Sequence, residues 1–264
     1  MALNLLRAIV PSTRKPVYVR QVGDKFIIEV DRQVMAAPWI GRWRFYRWGF
    51  DVRLNAVCRR YGLDDLYPGD EDEWVIDVGA YMGEWSLYML NKGFNVLAVE
   101  PDPSAANCLA ENLTRHGPHR KQWLLDTRVC HNYQGDVTYH LEPHTADSSI
   151  FPSIDRPSKP VTLVAATLDD IVAEQIGDKT IGALKMDAEG AEPEVLAGAS
   201  KLLSRCPRVG IDAGWERQGE STVEECRRIL GESGFTLIAN DDWGLSSAIV
   251  AGWRHTDNAP NFCR

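Results

Sequence analysis

The sequence has no cysteine pair spaced for metal binding and no apolar run long enough for a membrane helix. Its six cysteines include no C-x-x-C pair, which argues against a zinc site and a dense disulfide framework. We therefore expect reduced thiols and a cytoplasmic protein. No apolar run approaches the ~18 residues of a bilayer span, so we expect no stable membrane association.

Positive charge is also in short supply. The chain has 29 basic and 37 acidic residues and a formal net charge of −8, which would repel a phosphate backbone over most of the surface. Nucleic acid is therefore not an expected partner. The chain contains neither a G-x-S-x-G nor a Walker-type G-K-S/T motif, which excludes the usual hydrolase and NTPase interpretations.

What the sequence does contain is the alternation of strands and helices typical of an α/β protein. Its 264 residues, 44% of them hydrophobic, fit one domain at 69–264 preceded by an N-terminal extension at 1–68. From Trp74 onward the alternation predicts a doubly wound, mostly parallel sheet with helices on both faces. The predicted strands are 74–78, 95–99, 122–130, 137–141, 161–165, 181–186, 208–212, 235–239 and 246–251, with the last two forming an antiparallel edge. The predicted helices cover 84–91, 103–116, 168–172, a segment from Glu192 to Leu203, and 223–233.

The extension has two parts. Residues 17–30 form two β-branched runs around Gly23-Asp24, which predicts a small hairpin. Residues 38–53 interleave tryptophans and other aromatics with arginines, and a helical pattern follows through Arg60. This segment fits a lid that stacks on an acceptor, a membrane-surface patch, or an amphipathic helix with packed aromatics and solvated arginines.

A glycine-bearing turn follows the strand at 74–78. Asp77 ends the apolar run, Gly79 and Gly83 bracket the turn, and Glu100 ends the next strand. Such a turn lets a ligand lie against bare backbone, and a carboxylate at Glu100 can accept hydrogen bonds from both ribose hydroxyls. The pattern indicates an adenosine-containing cofactor; the alternative is a turn that only packs helix on strand.

The glycine spacing favours one cofactor. A dinucleotide site uses G-x-G-x-x-G, whereas this turn reads G-x-x-x-G. The carboxylates of Asp77 and Glu84 would repel a pyrophosphate but suit the ammonium and sulfonium charges of S-adenosylmethionine. An NAD-dependent oxidoreductase and a non-catalytic S-adenosylmethionine-binding protein are the rival interpretations.

A second group of charged residues follows the strand at 181–186. Lys185, Asp187 and Glu189 would share one face while the chain stays extended. Methyl transfer needs in-line approach of an acceptor oxygen, and a carboxylate can take the hydroxyl proton; Asp187 is the first candidate. Asp187 and Glu189 could instead hold a divalent metal, which is not favoured. Alternatively, Glu189 and Glu192 cap the next helix and Lys185 pairs with one of them.

These residues together resemble the FkbM-type family of S-adenosylmethionine-dependent methyltransferases over roughly Gly69 to Ala251. The resemblance rests on four blocks: Ile76-Asp77-Val78-Gly79-Ala80 with Gly83, Val99-Glu100-Pro101, Thr167-Leu168-Asp169-Asp170, and the run from Leu184 to Glu192 with Val195-Leu196-Gly198-Ala199. It implies a class I, Rossmann-like methyltransferase fold with a seven-stranded sheet, and O-methylation of a sugar, a polyketide or another secondary metabolite. S-adenosylhomocysteine would be the product.

The resemblance also implies where the cofactor lies. Its binding residues would be Asp77, Gly79, Ala80, Tyr81, Gly83, Glu100 and Pro101, with Val129 and Cys130 near the adenine and Ser148 and Ser149 as a nearby serine pair. Two positions depart from the family pattern. The first is Tyr81, where the family usually has Asn; a tyrosine would strain the turn if φ is positive there. The second is the end of a later strand, where many members have a Glu and where Asp212 or Glu216 would substitute for it.

Three histidines lie in sequence near the expected site, namely His131, His140 and His144. A histidine is a capable general base at neutral pH, and His144, in the long loop at 142–160, is the preferred candidate. The small-molecule acceptor and the oligomeric state are not indicated by the sequence.

Overall fold

The computed structural model describes residues 14–143, 145–238 and 246–254. In chain order its strands are β1 (Tyr18–Val22), β2 (Lys25–Val30), β3 (Gln33–Ala37), β4 (Trp74–Val78), β5 (Asn95–Val99), β6 (Trp123–Asp126), β7 (Val129–Cys130), β8 (Gly135–Leu141), β9 (Lys159–Ala166), β10 (Ile181–Asp187), β11 (Arg208–Asp212), β12 (Thr236–Leu237) and β13 (Ile249–Trp253). Its α-helices are α1 (Phe50–Arg60), α2 (Glu84–Lys92), α3 (Pro103–His116), α4 (Leu168–Gln175), α5 (Glu192–Ala197), α6 (Ser200–Arg205) and α7 (Val223–Glu232), and a 3-10 helix covers Ile40–Tyr46.

Within the described part of the chain, seven strands form the central sheet, in the order β12-β13-β11-β10-β4-β5-β6. The five strands from β11 to β6 run parallel, whereas β13 and β12 are antiparallel to their neighbours. The predicted fold class, a seven-stranded and mostly parallel sheet with an antiparallel edge, is confirmed.

Helices cover both faces of this sheet. Val75 of β4 belongs to a buried cluster with α2, α3 and the extension, which includes α1. Ile76 and Val78 belong to a second cluster, with α4 to α7. The alternation follows from the two-residue period of a strand. Among the described residues, no helix has the length and apolar character needed to cross a membrane.

Three predicted elements differ from the structure in more than their bounds. The single strand at 122–130 is two strands in different sheets, because the Asp126 carboxylate accepts a hydrogen bond from the Arg128 backbone N–H and turns the chain. The helix after β10 is broken into α5 and α6 at Gly198, whose carbonyl accepts from the Asp169 N–H. The extension hairpin gains a third strand, β3. Ala239, the predicted end of one strand, lies outside the described residues.

The sheet order determines where a ligand can bind. From β4 the chain passes outward to β5 and β6, and later returns to β10 on the other side of β4. Open α/β sheets bind ligands in the crevice at such a switch point, outside the carboxyl ends of the strands.

Candidate active site

A cavity of about 390 Å³ opens at the carboxyl ends of β4, β5 and β10. Most of the candidate residues from the sequence line it: Gly79, Ala80, Tyr81, Glu100, Pro101, Val129, Cys130, Ser148, Lys185, Asp187 and Glu189. Three others, Asp77, Gly83 and Ser149, lie beside the lining. His144 lies outside the described residues.

Gly79 is required by the close approach of two strand ends. Its φ is +67°, and a Cβ there would lie 1.8 Å from the backbone oxygen of Asp187. Gly83 has φ +84°, and its Cβ would contact Leu109 at 3.1 Å. Both glycines thus serve backbone and helix packing directly, and they shape the cavity through that packing.

Tyr81 and Glu100 are joined across the turn. The φ of Tyr81 is positive, at 51°, so its side chain does strain the turn. The Tyr81 N–H donates to Glu100 Oε2 at 2.7 Å, and the Asp102 N–H donates to Oε1 at 2.9 Å. Burial raises the pKa of Glu100 to about 7. The buried Tyr81 hydroxyl has no hydrogen-bond partner among the described residues.

Asp77 and Lys185 form a buried ion pair behind the turn, with Oδ1 and Nζ 3.0 Å apart. The Lys185 ammonium also donates to the carbonyls of Gly79 at 2.8 Å and Val78 at 3.3 Å. Lys185 therefore holds the turn through its contacts with two backbone carbonyls. Its expected pairing with Glu189 or Glu192 is wrong, and the charge of Asp77 is compensated rather than free for a cofactor.

Asp187 ends β10 and faces the cavity. Its Oδ2 accepts a hydrogen bond from the Tyr61 hydroxyl at 2.7 Å, and its Oδ1 has no hydrogen-bond partner within the described part of the chain. Asp212, in register with Asp187 on β11, pairs with Arg60. Burial and the Asp187 charge raise the pKa of Asp212 to about 6. Glu216, rather than Asp212, reaches the cavity lining.

Glu189 and Glu192 play different parts. The extended strand ends at Asp187, and Glu189 has a φ of 49°. Glu189 therefore does not share one strand face with Lys185 and Asp187, although Glu189 lines the cavity. Burial and the charge of Asp187 raise the pKa of Glu189 well above its usual range. Glu192 accepts from the N–H groups of Ala188 and Gly190, both at 3.0 Å, so it fixes the turn rather than capping α5.

The part of the cavity beside β7 is more apolar than the part beside Asp187. Val129, Cys130, Tyr139 and Ile150 line it, and burial raises the pKa of the Cys130 thiol, so it stays protonated. The Ser148 hydroxyl donates to Asp102 Oδ2 at 2.9 Å on this side.

A second cavity, of about 250 Å³, adjoins the first, and Asp147, Glu189 and Glu216 line both. Ser149 faces this second cavity, where its hydroxyl donates to the Glu189 carbonyl at 2.6 Å. Trp215 and Ile154, each 69% exposed, stand at its rim. The second cavity therefore places acidic and apolar surface, together with the guanidinium of Arg156, beside the first.

Two of the three candidate histidines can be located, and both lie outside the two cavities. His131 bonds to Asn132 and His140 to Ser158, and neither histidine lines either of the two cavities. Within residues 14–143, 145–238 and 246–254, no cluster of three or more histidine, cysteine or acidic side chains is arranged to hold a metal ion.

The extension forms one wall of the cavity through the aromatic and arginine segment. Glu84 accepts hydrogen bonds from Arg42 at 2.6 Å, from Arg53 twice at 2.7 Å and from Tyr46 at 2.7 Å. The expectation of solvated arginines is therefore wrong for Arg42 and Arg53, and the Glu84 charge is compensated. Arg42, Phe45 and Arg53 of this segment line the cavity, as do Arg60 and Tyr61, which follow it and were not among the predicted site residues.

Comparison with known proteins gives a consistent result. The model of the methyltransferase FkbM domain matches residues 77–237. Methyltransferase 1 of Beauveria bassiana (strain ARSEF 2860) is 25% identical over 210 residues, which cover 68% of this chain and 79% of the fungal protein. The 31-O-demethyl-FK506 methyltransferase FkbM of Streptomyces tacrolimicus is 27% identical over 229 residues, which cover 73% of this chain and 82% of that protein.

Among solved structures, the methyltransferase FkbM from Methylobacillus flagellatus KT superposes with a TM-score of 0.51 at 18% identity. The superposition covers 74% of this chain and 47% of that one. At this identity the likeness concerns the fold.

Proposed function

The chain belongs to the FkbM family of S-adenosylmethionine-dependent methyltransferases, and from that premise we propose that it methylates a hydroxyl oxygen of a small molecule. Sugars, polyketides and other secondary metabolites are the proposed acceptor classes. The name of the Streptomyces tacrolimicus relative, which refers to an O-demethyl form of FK506, supports an oxygen acceptor. The observation that carries the proposal is the position of Asp187 at the wall of the cavity, with Oδ1 unpartnered among the described residues.

The residues of the cavity fit the methyl donor. Each oxygen of Glu100 accepts one backbone N–H and keeps a lone pair for a ribose hydroxyl, and the unpartnered Tyr81 hydroxyl offers a further donor. Val129 and Cys130 supply apolar contact for an adenine ring. When bound, S-adenosylmethionine supplies an electrophilic methyl carbon and leaves as S-adenosylhomocysteine.

Asp187 is the proposed general base. As the acceptor oxygen bonds to the methyl carbon, Oδ1 takes the hydroxyl proton, the sulfur keeps the electrons of the broken carbon–sulfur bond, and a methyl ether forms. Holding the acceptor oxygen in line supplies much of the acceleration. We place the body of the acceptor in the second cavity and its reacting hydroxyl at Asp187 in the first, since Glu189 and Glu216 line both cavities. Trp215 and Ile154 offer apolar surface in the second cavity, and its carboxylates can accept hydrogen bonds from hydroxyls.

The first experiment tests the cofactor by thermal unfolding of the full chain alone, with S-adenosylhomocysteine and with NADH. A ligand at 100 times its dissociation constant adds roughly 2.7 kcal/mol to the free energy of unfolding. We expect stabilisation by S-adenosylhomocysteine only. Stabilisation by NADH alone would favour the oxidoreductase alternative.

The second experiment tests the base with a panel of hydroxyl acceptors, measuring S-adenosylhomocysteine release. We expect Asp187→Asn to bind S-adenosylhomocysteine within a few fold of wild type and to lower the transfer rate by about 100-fold. An unchanged rate would remove Asp187 from the mechanism. Cofactor binding without turnover on any acceptor would favour a non-catalytic binding protein.

A further inference from the structure

Tyr61 lies in the extension, before the family match at 77–237, yet its side chain reaches the carboxyl end of β10. It follows the last residue of α1, where its N–H donates to the Cys58 carbonyl at 3.2 Å. Its side chain is 3% exposed, and its hydroxyl lies 2.7 Å from Asp187 Oδ2. The contact joins residues 126 positions apart.

The surroundings of Tyr61 keep its ring in one place. A Cβ on Gly210 of β11 would lie 2.3 Å from the Tyr61 carbonyl and 2.9 Å from its Cβ, so β11 carries a glycine where the tyrosine packs. The Lys185 ammonium lies 5.2 Å from the ring centroid and the Arg60 guanidinium 5.9 Å. Burial and the Asp187 charge raise the pKa of Tyr61 well above its usual value, so the hydroxyl remains a donor.

We propose that Tyr61 is a positioning residue, which holds Oδ2 of Asp187 so that Oδ1 faces the acceptor hydroxyl. Catalytic bases are commonly oriented by a third group in this way. The inference rests on the proposed role of Asp187 as the base. It makes the extension part of the catalytic apparatus and not only a cover for the cavity.

The charged and titratable groups around Asp187 come from four directions. Arg60 and Tyr61 come from the end of α1, and Lys185 comes from β10. Asp212 and Glu216 come from β11 and the turn after it. Glu189 and Glu192 come from the turn after β10. Of these, Tyr61 alone donates a hydrogen bond to the carboxylate among the described residues.

The test uses the full chain saturated with S-adenosylhomocysteine and needs no acceptor. The chemical shift of the Asp187 carboxyl carbon is followed by ¹³C NMR at one fixed pH, with its signal assigned by its loss in Asp187→Asn. We expect Tyr61→Phe to move this signal, because the carboxyl group loses the hydrogen bond that the Tyr61 hydroxyl donates at 2.7 Å. Tyr46→Phe, which removes a hydroxyl that donates to Glu84 at 2.7 Å, should leave the Asp187 signal in place.

With an acceptor from the panel, Tyr61→Phe should lower kcat on the order of tenfold with little change in KM for the methyl donor. If Asp187→Asn is inactive but the Asp187 signal in a folded Tyr61→Phe variant does not move, the positioning role is wrong while the proposed function stands. If Asp187→Asn keeps its turnover, the base assignment is wrong and the positioning role falls with it.

Discussion

At the scale of single residues, Gly79 does what no other residue could do at its position. Any side chain there would meet the Asp187 backbone oxygen at 1.8 Å while φ stays at +67°. Gly177 is a natural control, since its φ is +57° and a Cβ added there would meet nothing within 4 Å. The two glycines therefore separate backbone strain from the closeness of the strand ends.

We expect Gly177→Ala to lower the free energy of unfolding by about 1 kcal/mol, the cost of the left-handed conformation. Gly79→Ala should cost clearly more and should abolish S-adenosylhomocysteine binding, because β4 and β10 must separate. Urea unfolding and calorimetric titration measure both effects. Equal losses in the two variants would show that the strand ends tolerate a methyl group between them.

Glu100 gives a pH dependence whose sign follows from its environment. Burial raises its pKa from 4.5 to about 7, whereas ribose hydroxyls donate to the ionised form. Below about pH 7 the Glu100 carboxyl of the free protein must release its proton before the ligand binds. The affinity for S-adenosylhomocysteine should therefore fall by up to about tenfold for each unit by which the pH is lowered. Above that pH the affinity should be constant.

Calorimetric titration of S-adenosylhomocysteine between pH 5.5 and about 8 measures this slope. Glu100→Gln should bind more weakly and lose the slope, because an amide does not titrate. A wild-type affinity that is flat across the range would exclude Glu100 as the carboxylate that accepts the ribose hydrogen bonds.

At the scale of elements, the Glu84 carboxylate joins the extension to the helix that follows the cofactor turn. Burial alone would raise the pKa of Glu84, but Arg53 and Arg42 hold it well below the usual range. Its stabilising contribution is therefore present at neutral pH and is lost as the pH falls below about 4.5 toward the folded-state pKa.

Glu84→Gln should lower the free energy of unfolding at pH 7 by about 3 kcal/mol, because two buried guanidinium groups lose their counter-charge. Glu29→Gln, at an exposed position of β2, should change it by less than about 0.5 kcal/mol. Urea unfolding of both variants compares the two sites. A similar result for the two would mean that the extension is held by contacts other than those of Glu84.

The bounds of several buried strands could be predicted from the sequence, whereas the long-range side-chain contacts could not. The strands Trp74–Val78, Asn95–Val99 and Arg208–Asp212 have the predicted bounds, because each is a buried run ended by a turn or a capping residue. Parallel strand ends meet at one edge, so Glu100 and Asp187 could be placed together in advance. The contacts of Glu84 and Tyr61 could not be predicted, because their partners lie 31 to 126 positions away without a repeating pattern.

At the scale of the whole molecule, the division into an extension at 1–68 and a domain at 69–264 does not coincide with a division of the core. Ile28 and Met35 of the extension belong to the same buried cluster as Trp85 and Leu109. Asn112 of α3 joins the two parts through polar contacts: its side chain accepts from the Ala36 N–H at 2.7 Å and donates to the Ala36 carbonyl at 2.9 Å. It thereby pairs with β3 as a neighbouring strand would.

A chain that begins at residue 69 should therefore fail to fold cooperatively. It would expose one side of the cluster around Trp85 and leave Asn112 without its Ala36 partners, and each exposed large apolar side chain costs about 1.5–3 kcal/mol. A handful of such losses equals the total stability of a domain, roughly 5–15 kcal/mol. Circular dichroism melting and binding of an apolar dye should show a broad transition with exposed apolar surface. A cooperative transition at the melting temperature of the full chain would instead make residues 69–264 an independent domain and reduce the extension to a detachable wall of the cavity.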